Sequence, residues 1–411
     1  MQNIKYLVFF ILDNKYFWDS FKMIIKSTKI IKSSLIGLFI LLLTSRGLNA
    51  QENALIYSNT NPPDNAANVY GIVPMIEDLK DIIPMKLVPG SQLFDSRTAL
   101  SSIGGGIAGA GEVISSYSRS DLKHAVILND LMYLGRNELV VNAAATETLL
   151  RNCPNCMRDY AESNTLFLSG AAAGSYGMLC KSEVTNVSQM KGKKFRAVSA
   201  SRRWVRALGG IPVSLSINDM VEGLSRGLVD CIVGPIAWLK SFPIADDVKY
   251  IYAYNVGAFS FATMVINRGV WDDLNAIQKH ALWNAQSGVS ARTVVRLYVA
   301  EAIQARMIAK EKGIPITTAG QDIENFWQDF KKDEAATVNK VAGELGAKNP
   351  KEISDNFIKN IEKWEIIIAS SGLANLLTLE EIDEEILHSA EVEYEALLQK
   401  NIYDKINPEE L

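Results

Sequence analysis

The stretch from Met190 to Lys240 constrains the fold of this 411-residue chain more than any other part. Three short segments rich in apolar residues indicate strands: 194–198, 211–213 and 229–233. Two segments between them carry apolar residues at helical spacing, with Trp204, Val205 and Leu208 in one and Met220, Leu224 and Leu228 in the other. Strand, helix, strand, helix and strand in this order predict a parallel sheet.

Arg196 lies near the carboxyl end of the first of these strands, between apolar neighbours. Ligands of open α/β sheets bind beyond the carboxyl ends of the strands. The planar guanidinium suits a two-point contact with a carboxylate. Two interpretations are therefore open: Arg196 forms an ion pair with a structural carboxylate, or it binds an external anion.

This stretch contains Lys191-Gly192, Lys194 and Arg196, then Leu208-Gly209-Gly210, Pro212-Val213 and Gly227 with Val229-Asp230. In these residues it resembles the periplasmic substrate-binding subunits of TRAP (tripartite ATP-independent periplasmic) transporters, of the dicarboxylate-binding type. The resemblance spans roughly residues 53–368 and is densest over 191–278. The shared pattern is a Lys-Gly-x-Lys-x-Arg strand, a helix ending in Leu-Gly-Gly, a Pro-Val pair and a Gly-x-Val-Asp segment. The matching residues are Lys191, Gly192, Lys194, Arg196, Leu208, Gly209, Gly210, Pro212, Val213, Gly227, Val229, Asp230, Pro235, Val265, Ile266, Asn267, Trp271 and Leu274.

The resemblance implies an α/β fold, that of a two-lobed periplasmic binding protein. Mixed sheets flanked by helices form the lobes, which meet at a hinged cleft. One long helix underlies both lobes, and the segment 274–313 fits it. The boundaries that we expect are 51–173 with about 262–300 for lobe I, 174–261 with about 301–375 for lobe II, and 376–411 for an acidic C-terminal helical extension.

The resemblance also assigns the site, because the strand arginine of that family binds the substrate carboxylate. Arg196 takes this role by resemblance. Asn142, Tyr176, Trp238 and Phe259 are further candidates for shaping the pocket, although core packing also explains such side chains. Asn142 lies in 139–143, an apolar segment that we predict to be a strand.

Two departures from the family pattern affect the ligand. The second arginine that sialic-acid-binding members carry is absent, because its neighbourhood here is Ser175-Tyr176-Gly177. The Glu-Asn pair that usually precedes the proline is replaced by Val233-Gly234. We therefore expect a small organic carboxylate other than sialic acid.

Residues 104–111, GGGIAGAG, contain a literal G-x-G-x-x-G. A dinucleotide-binding fingerprint follows a strand and opens a helix, whereas a helical segment, Ser96–Ile103, precedes these glycines. We interpret them as a tight turn into a strand at Glu112–Ser115. Tyr117, just beyond, either faces the ligand or packs in the core.

The first fifty residues indicate a secretory signal peptide. Lysines precede the nine apolar residues Leu35–Leu43, and small residues follow up to Ala50. We predict cleavage near Ala50, a mature start near Gln51 and a periplasmic location. An uncleaved membrane anchor is the alternative.

Charge excludes one class of partner. Residues 51–411 contain 35 basic and 44 acidic side chains, and the segment from Leu379 onward alone accounts for the net charge of −9. No basic face indicates nucleic acid binding. The acidic segment predicts a helix over 379–398 that is solvated, packs through residues such as Leu387, or touches another chain.

Four cysteines in an exported chain favour disulfides: Cys153, Cys156, Cys180 and Cys231. Their pairing stays open among three possibilities. A structural bridge explains Cys153-Pro-Asn-Cys156 better than a redox pair, because the preceding segment is helical rather than a strand.

No motif for catalysis, a metal or a cofactor stands out. The three histidines have no ligand spacing, and neither H-E-x-x-H nor G-x-S-x-G occurs. The expected partners are a small carboxylate and the small and large TRAP membrane permease subunits, with the chain itself a monomer. Two alternatives are a ligand-binding subunit of a sensor and a periplasmic enzyme acting on an organic acid.

Overall fold

The computed structural model describes residues 54–135, 137–253, 256–318 and 320–411. The predicted signal peptide lies outside the described residues. Within the described ranges, no helix has both the length and the apolar character to span a bilayer.

The strands are short and mostly buried. They are β1 (Leu55–Ser58), β2 (Met85–Val88), β3 (Ala110–Val113), β4 (Thr165–Ala172), β5 (Tyr176–Cys180), β6 (Lys194–Arg196), β7 (Ile211–Val213), β8 (Cys231–Pro235), β9 (Tyr250–Tyr252), β10 (Ser260–Asn267) and β11 (Ile316–Thr317).

The α-helices lie between and after these strands. They are α1 (Val73–Leu79), α2 (Ala99–Gly104), α3 (Val126–Asp130), α4 (Glu138–Glu147), α5 (Pro154–Glu162), α6 (Val187–Met190), α7 (Ser199–Ala207), α8 (Asp219–Ser225), α9 (Trp238–Ser241), α10 (Arg268–Asp273), α11 (Ala276–Asn284), α12 (Gln286–Arg292), α13 (Glu301–Glu311), α14 (Gln321–Glu344), α15 (Pro350–Ala369) and α16 (Glu384–Asn401). The π-helical segments are Ala67–Ile72, Thr148–Asn152 and Thr293–Ala300.

Two mixed sheets organise the described residues. The first has the order β2-β1-β3-β10-β4, with β10 antiparallel to both of its neighbours. The second has the order β11-β9-β5-β8-β6-β7. In it, β6 is parallel to β7 and β8, as the sequence predicted, whereas β5 is antiparallel to β8 and β9. The predicted α/β fold with mixed sheets and flanking helices is confirmed.

Three connections of the chain lead from one sheet to the other: residues 173–175 between β4 and β5, the segment between β9 and β10, and the helical region between β10 and β11. The first two are the short crossings. The crossings are hydrogen-bonded to each other: the Ala173 amide donates to the Phe259 carbonyl at 2.8 Å, and the Tyr176 amide to the Gly257 carbonyl at 2.9 Å. The predicted long helix is also present, as α11, α12, the π-helical segment Thr293–Ala300 and α13 in close succession.

The predicted strand at 139–143 is wrong, because these residues belong to α4. The Asn137 side chain caps that helix by accepting hydrogen bonds from the amides of Leu139 at 2.9 Å and Val140 at 3.3 Å. Every residue of α4 is buried. An apolar segment without a polar face gives no period that separates a buried helix from a buried strand.

The acidic C-terminal segment packs against the body of the protein, so a solvated helix is excluded. Asp383 caps α16 by accepting from the Ile386 amide at 2.9 Å. Leu387, Tyr394 and Leu398 are buried. The Tyr394 hydroxyl donates to the Leu139 carbonyl at 2.6 Å, which ties α16 to α4.

Opposite charges complete this docking. Arg296, in the π-helical segment, pairs with Glu391 and, at 2.6 Å, with Glu384. Part of the net negative charge of the segment is therefore neutralised by the body of the protein.

All four cysteines form disulfides, Cys153–Cys156 and Cys180–Cys231. The second bridge joins residues that lie directly opposite each other in the antiparallel pair β5 and β8. The first bridge is buried at the start of α5, after a helical segment rather than a strand. Its position agrees with the structural interpretation.

We predict that Leu398→Ala lowers the free energy of unfolding by about 2–5 kcal/mol, because Leu398 is fully buried between α16 and the body. Val392→Ala, on the same helix but 54% exposed, should change it by less than about 0.5 kcal/mol. Urea denaturation of both variants measures this. Equal effects would contradict the docking of α16.

Candidate functional site

Arg196, Tyr176, Trp238 and Phe259 line one cavity, between the two sheets. Arg196 is the last residue of β6, Tyr176 the first of β5, and Trp238 the first of α9, just after β8. Phe259 precedes β10, in the second crossing segment. The parallel pair β6 and β8 thus presents its carboxyl ends to the cavity, where ligands of α/β sheets bind.

The Arg196 guanidinium is buried, with 2% of the residue exposed. Its Nε donates to the Leu215 carbonyl at 3.2 Å, and its Nη2 donates to the Tyr117 hydroxyl at 2.8 Å. Its Nη1 has no hydrogen-bond partner among the described residues. The guanidinium forms no ion pair with any described carboxylate either, so the structural ion pair that the sequence left open is not found.

A second polar atom in the cavity is also unpartnered. Ser116 lines the cavity, and its Oγ is buried without a hydrogen bond to any described residue. Buried polar groups normally form hydrogen bonds, because a buried group without a partner costs its full desolvation penalty. Two such atoms in one cavity indicate a place for a polar ligand group.

Aromatic rings form much of the cavity wall. The rings of Tyr176 and Phe259 stack at 6.0 Å, and the Trp238 ring meets Tyr176 edge-on at 5.8 Å. The Arg196 guanidinium carbon lies 5.2 Å from the centre of the Trp238 ring, within the range of a cation–π contact. Tyr117 and Tyr298 complete the aromatic surroundings.

Gly234 makes room for the Trp238 ring. A Cβ at residue 234 would lie 2.2 Å from Cζ3 and 2.4 Å from Cε3 of that ring. The indole therefore occupies the space that a side chain at 234 would need. This explains the departure from the Glu-Asn pattern in physical terms, because a larger residue here excludes the observed position of Trp238.

Glu112 is an acidic member of the cavity lining. It belongs to β3 and is 8% exposed, and the Asn61 side-chain amide donates to its Oε2 at 2.9 Å. Burial raises the pKa of the Glu112 carboxyl to about 7, although the hydrogen bond from Asn61 opposes the increase. Burial also raises the pKa of Tyr176, a change that the nearby Arg196 charge opposes.

Asn142 lies outside this group. It is fully buried in α4, and its amide donates to the Ser290 hydroxyl at 2.8 Å and to the Tyr394 hydroxyl at 2.9 Å. Its hydrogen bonds join α4 to α12 and α16. Asn142, which the sequence proposed for the pocket, therefore serves the packing between helices.

The cavity encloses about 30 Å³, which is room for roughly two water molecules. Around the cavity, loops and helices next to the first sheet contact those next to the second sheet. Besides the bond from Arg196 to Tyr117, Asn218 donates to the Ser91 hydroxyl at 3.0 Å, and Arg97 pairs with Asp219 at 3.4 Å. The cleft is therefore closed.

A larger cavity, of about 320 Å³, lies beside the long helix and contains Glu138 and Arg306. Burial raises the pKa of Glu138 to about 7 and lowers that of Arg306. An Arg306 Nη atom donates to the Leu379 carbonyl at 3.4 Å, in the segment leading to α16. No buried, unpartnered side-chain atom of the described residues lines this cavity, which distinguishes it from the smaller one.

Four of the five residues that the sequence proposed for the site line this cavity: Arg196, Tyr176, Trp238 and Phe259. The sequence analysis did not propose Glu112 or Ser116, which line it as well. Both follow the glycine-rich turn at 104–111, whose interpretation as a turn into a strand is correct. An acid inside an apolar strand was the available signal for Glu112. In the described part of the chain, no cluster of side chains suits a metal ion.

Comparisons with known proteins identify the family and the fold. The DctP family model, bacterial extracellular solute-binding protein family 7, matches residues 75–340. A comparison with curated proteins found no match.

Solved structures with similar folds include three relevant ones. A TRAP periplasmic solute binding protein from Bordetella bronchiseptica with bound (R)- and (S)-mandelate is 18% identical and covers 75% of this chain and 99% of its own, with a TM-score of 0.65. A TRAP solute binding protein from Rhodoferax ferrireducens T118 with copurified benzoate is 17% identical, covers 77% and 99%, and has a TM-score of 0.65. The periplasmic ectoine-binding protein of the TeaABC TRAP transporter of Halomonas elongata is 17% identical, covers 76% and 100%, and has a TM-score of 0.65. The predicted two-lobed fold is thereby confirmed.

We predict that Gly234→Ala lowers the free energy of unfolding by about 1–3 kcal/mol, because the new methyl group overlaps the Trp238 ring. Gly343→Ala is the matched control. No atom lies within 4 Å of a Cβ there, and alanine favours the helix, so it should stabilise by roughly 0.5–1 kcal/mol. Denaturant midpoints measure both. A Gly234→Ala variant as stable as the parent would contradict the packing described.

We predict that Glu112→Gln reduces the loss of stability as the pH rises from about 4.5 to 7. The folded-state pKa of Glu112 is raised to about 7, so the folded protein binds more protons than the unfolded chain in this window. Stability therefore falls with rising pH, by about 1.4 kcal/mol per unit of pKa difference. Unfolding measured at several pH values should give a shallower decline for the variant. Parallel curves would exclude the raised pKa.

Proposed function

The chain belongs to bacterial extracellular solute-binding protein family 7, and we propose that it captures a small organic carboxylate through Arg196. The observation that carries this proposal is that Nη1 of Arg196 is buried and donates no hydrogen bond to any described residue. Family members and the structural neighbours are solute-binding proteins and not enzymes, so the proposal concerns binding alone.

The electrostatics of the cavity support a carboxylate. A buried charge without a counter-charge is costly, and a paired, hydrogen-bonded charge is not. A ligand carboxylate at Nη1 supplies both the counter-charge and the missing hydrogen bond. The unpartnered Ser116 hydroxyl is a second donor for it.

The remaining walls suit an apolar, flat ligand body. The rings of Tyr176, Trp238 and Phe259 offer faces and edges against which a ring or short carbon skeleton packs. Mandelate and benzoate, the ligands of two of the similar structures, are carboxylates of this size. Asn142 has no part in this proposal, because its hydrogen bonds join helices.

Binding requires opening and closing of the cleft, because the closed cavity is too small for such an acid. We place the hinge at the two short crossings, residues 173–175 and the segment between β9 and β10. The lobe boundaries predicted from the sequence are part of this proposal. Closure buries the ligand and brings Arg196 and Tyr117 together across the cleft. In the periplasm, the closed form delivers the ligand, as a monomer, to TRAP membrane permease subunits.

We predict that Arg196→Ala weakens binding of the carboxylate by at least tenfold, because it removes a desolvated, charge-assisted contact. Isothermal titration with the acid that gives the largest thermal shift measures the loss. The apoprotein should keep its fold and lose no stability, because the variant removes a buried charge that lacks a counter-charge.

Arg206→Ala is the matched control for this prediction. Arg206 lies in the last turn of α7, is exposed, and does not line the cavity. It should bind the acid as the parent does. Unchanged affinity in Arg196→Ala, or equal losses in both variants, would refute the role of Arg196.

A further inference from the structure

Glu112 and Arg196 face the same cavity from opposite sheets. Glu112 belongs to β3 of the first sheet and Arg196 to β6 of the second. Both residues are buried, yet they form no ion pair with each other in the described structure. The cavity is therefore lined by a carboxyl group and a guanidinium that do not pair with each other, so a ligand can contact both.

The Glu112 carboxylate has spare hydrogen-bonding capacity. Asn61 donates to Oε2 at 2.9 Å, and no other hydrogen bond to the side chain occurs among the described residues. A carboxylate has about four acceptor positions, so one donor leaves most of them unused. The neighbouring Tyr57 does not fill them, because its hydroxyl donates to the Thr263 carbonyl at 2.7 Å.

An acid at this position penalises ligands that carry only negative charge. When Glu112 is ionised, a carboxylate bound at Arg196 places a second negative charge in the same enclosed space, where like charges repel. A ligand that also carries an N–H or O–H group satisfies Glu112 instead of opposing it. Ligands that leave a buried polar group unpaired are rejected most strongly.

We infer that Glu112 selects carboxylates that carry a hydrogen-bond donor, an ammonium, amide N–H or hydroxyl group, on the side of the ligand that faces β3. The inference rests on the proposed function, since it assumes that the carboxylate lies at Arg196. It narrows the ligand from small carboxylates in general to hydroxy acids and amino or lactam acids. Simple monocarboxylates and dicarboxylates are disfavoured.

Matched pairs of acids test the inference, because each pair has one shape and differs in the donor. The pairs are mandelate and phenylacetate, 3-hydroxybenzoate and benzoate, and proline and cyclopentanecarboxylate. Affinities are measured by isothermal titration against the mature protein. In the pair that binds best, we expect the acid with the donor to bind at least tenfold tighter.

Two variants of Glu112 identify the source of the preference. Glu112→Leu removes the acceptor, so the preference for the donor should disappear in all pairs. Glu112→Gln keeps a neutral acceptor oxygen, so a hydroxyl preference should persist while an ammonium preference is lost. If the Glu112→Leu variant does not fold, the proline and cyclopentanecarboxylate pair is measured with Glu112→Gln, and a lost preference for proline supports the inference.

Glu301→Gln is the matched control. Glu301 is also a buried acid, with a pKa that burial raises to about 7, but it lies outside the cavity and its partner is Ser241. Its replacement should leave every preference unchanged.

The outcomes separate the two proposals. Acids that bind through Arg196 without any preference for a donor would overturn the inference and leave the proposed function standing. A preference that survives Glu112→Leu, or that Glu301→Gln abolishes, would also overturn the inference. If the parent protein binds no acid of the panel, the proposed function fails, and the inference fails with it.

Discussion

The site depends on a buried guanidinium that has no carboxylate partner within the described protein. Burying an unpaired charge has a large free-energy cost, and proteins normally avoid it by pairing the charged group or exposing it to solvent. Arg196 is held by the Leu215 carbonyl, the Tyr117 hydroxyl and the Trp238 ring, and none of these supplies a counter-charge. In the proposed function, the ligand carboxylate supplies the counter-charge that the described residues do not.

The rest of the architecture positions that charge. The parallel unit β6-α7-β7-α8-β8 places Arg196 at a strand end, and Gly234 on the neighbouring strand admits the Trp238 ring beside it. The first sheet contributes Tyr117, Ser116 and Glu112 from one short segment after the glycine-rich turn. Two of the three connections between the sheets are short and lie beside each other. A small rotation there would change the distance between the two halves of the site.

The sequence predicted those parts of the fold and site that local patterns encode. The alternation of strands and helices over 190–240 predicted the parallel unit. The position of Arg196 left two roles open, and the resemblance to the TRAP substrate-binding subunits supplied the predicted role in ligand binding. The sequence did not predict Glu112 and Ser116 as site residues. They reach the cavity only because the segment around β3 meets β6 of the other sheet, which lies about eighty residues further along the chain. Nothing in the local pattern around Glu112 specifies which strand end it faces.

One wrong prediction and one question that the sequence left open have a common cause. Residues 139–143 were expected to form a strand, and the sequence did not decide whether the acidic C-terminal helix is solvated or packed. The structure packs the two segments against each other. Tyr394 of α16 donates to Leu139 of α4, and Asn142 donates to Tyr394. Such contacts span about 250 residues of sequence, so the hydrophobic period of either segment alone carries no information about them.

A crystal structure of the mature protein with the tightest-binding acid of the panel tests the central claim most directly. The account predicts a carboxylate oxygen within hydrogen-bond distance of Arg196 Nη1, enclosed by Tyr176, Trp238 and Phe259. A ligand bound instead in the larger cavity beside Arg306, with Nη1 of Arg196 still unpaired, would contradict it.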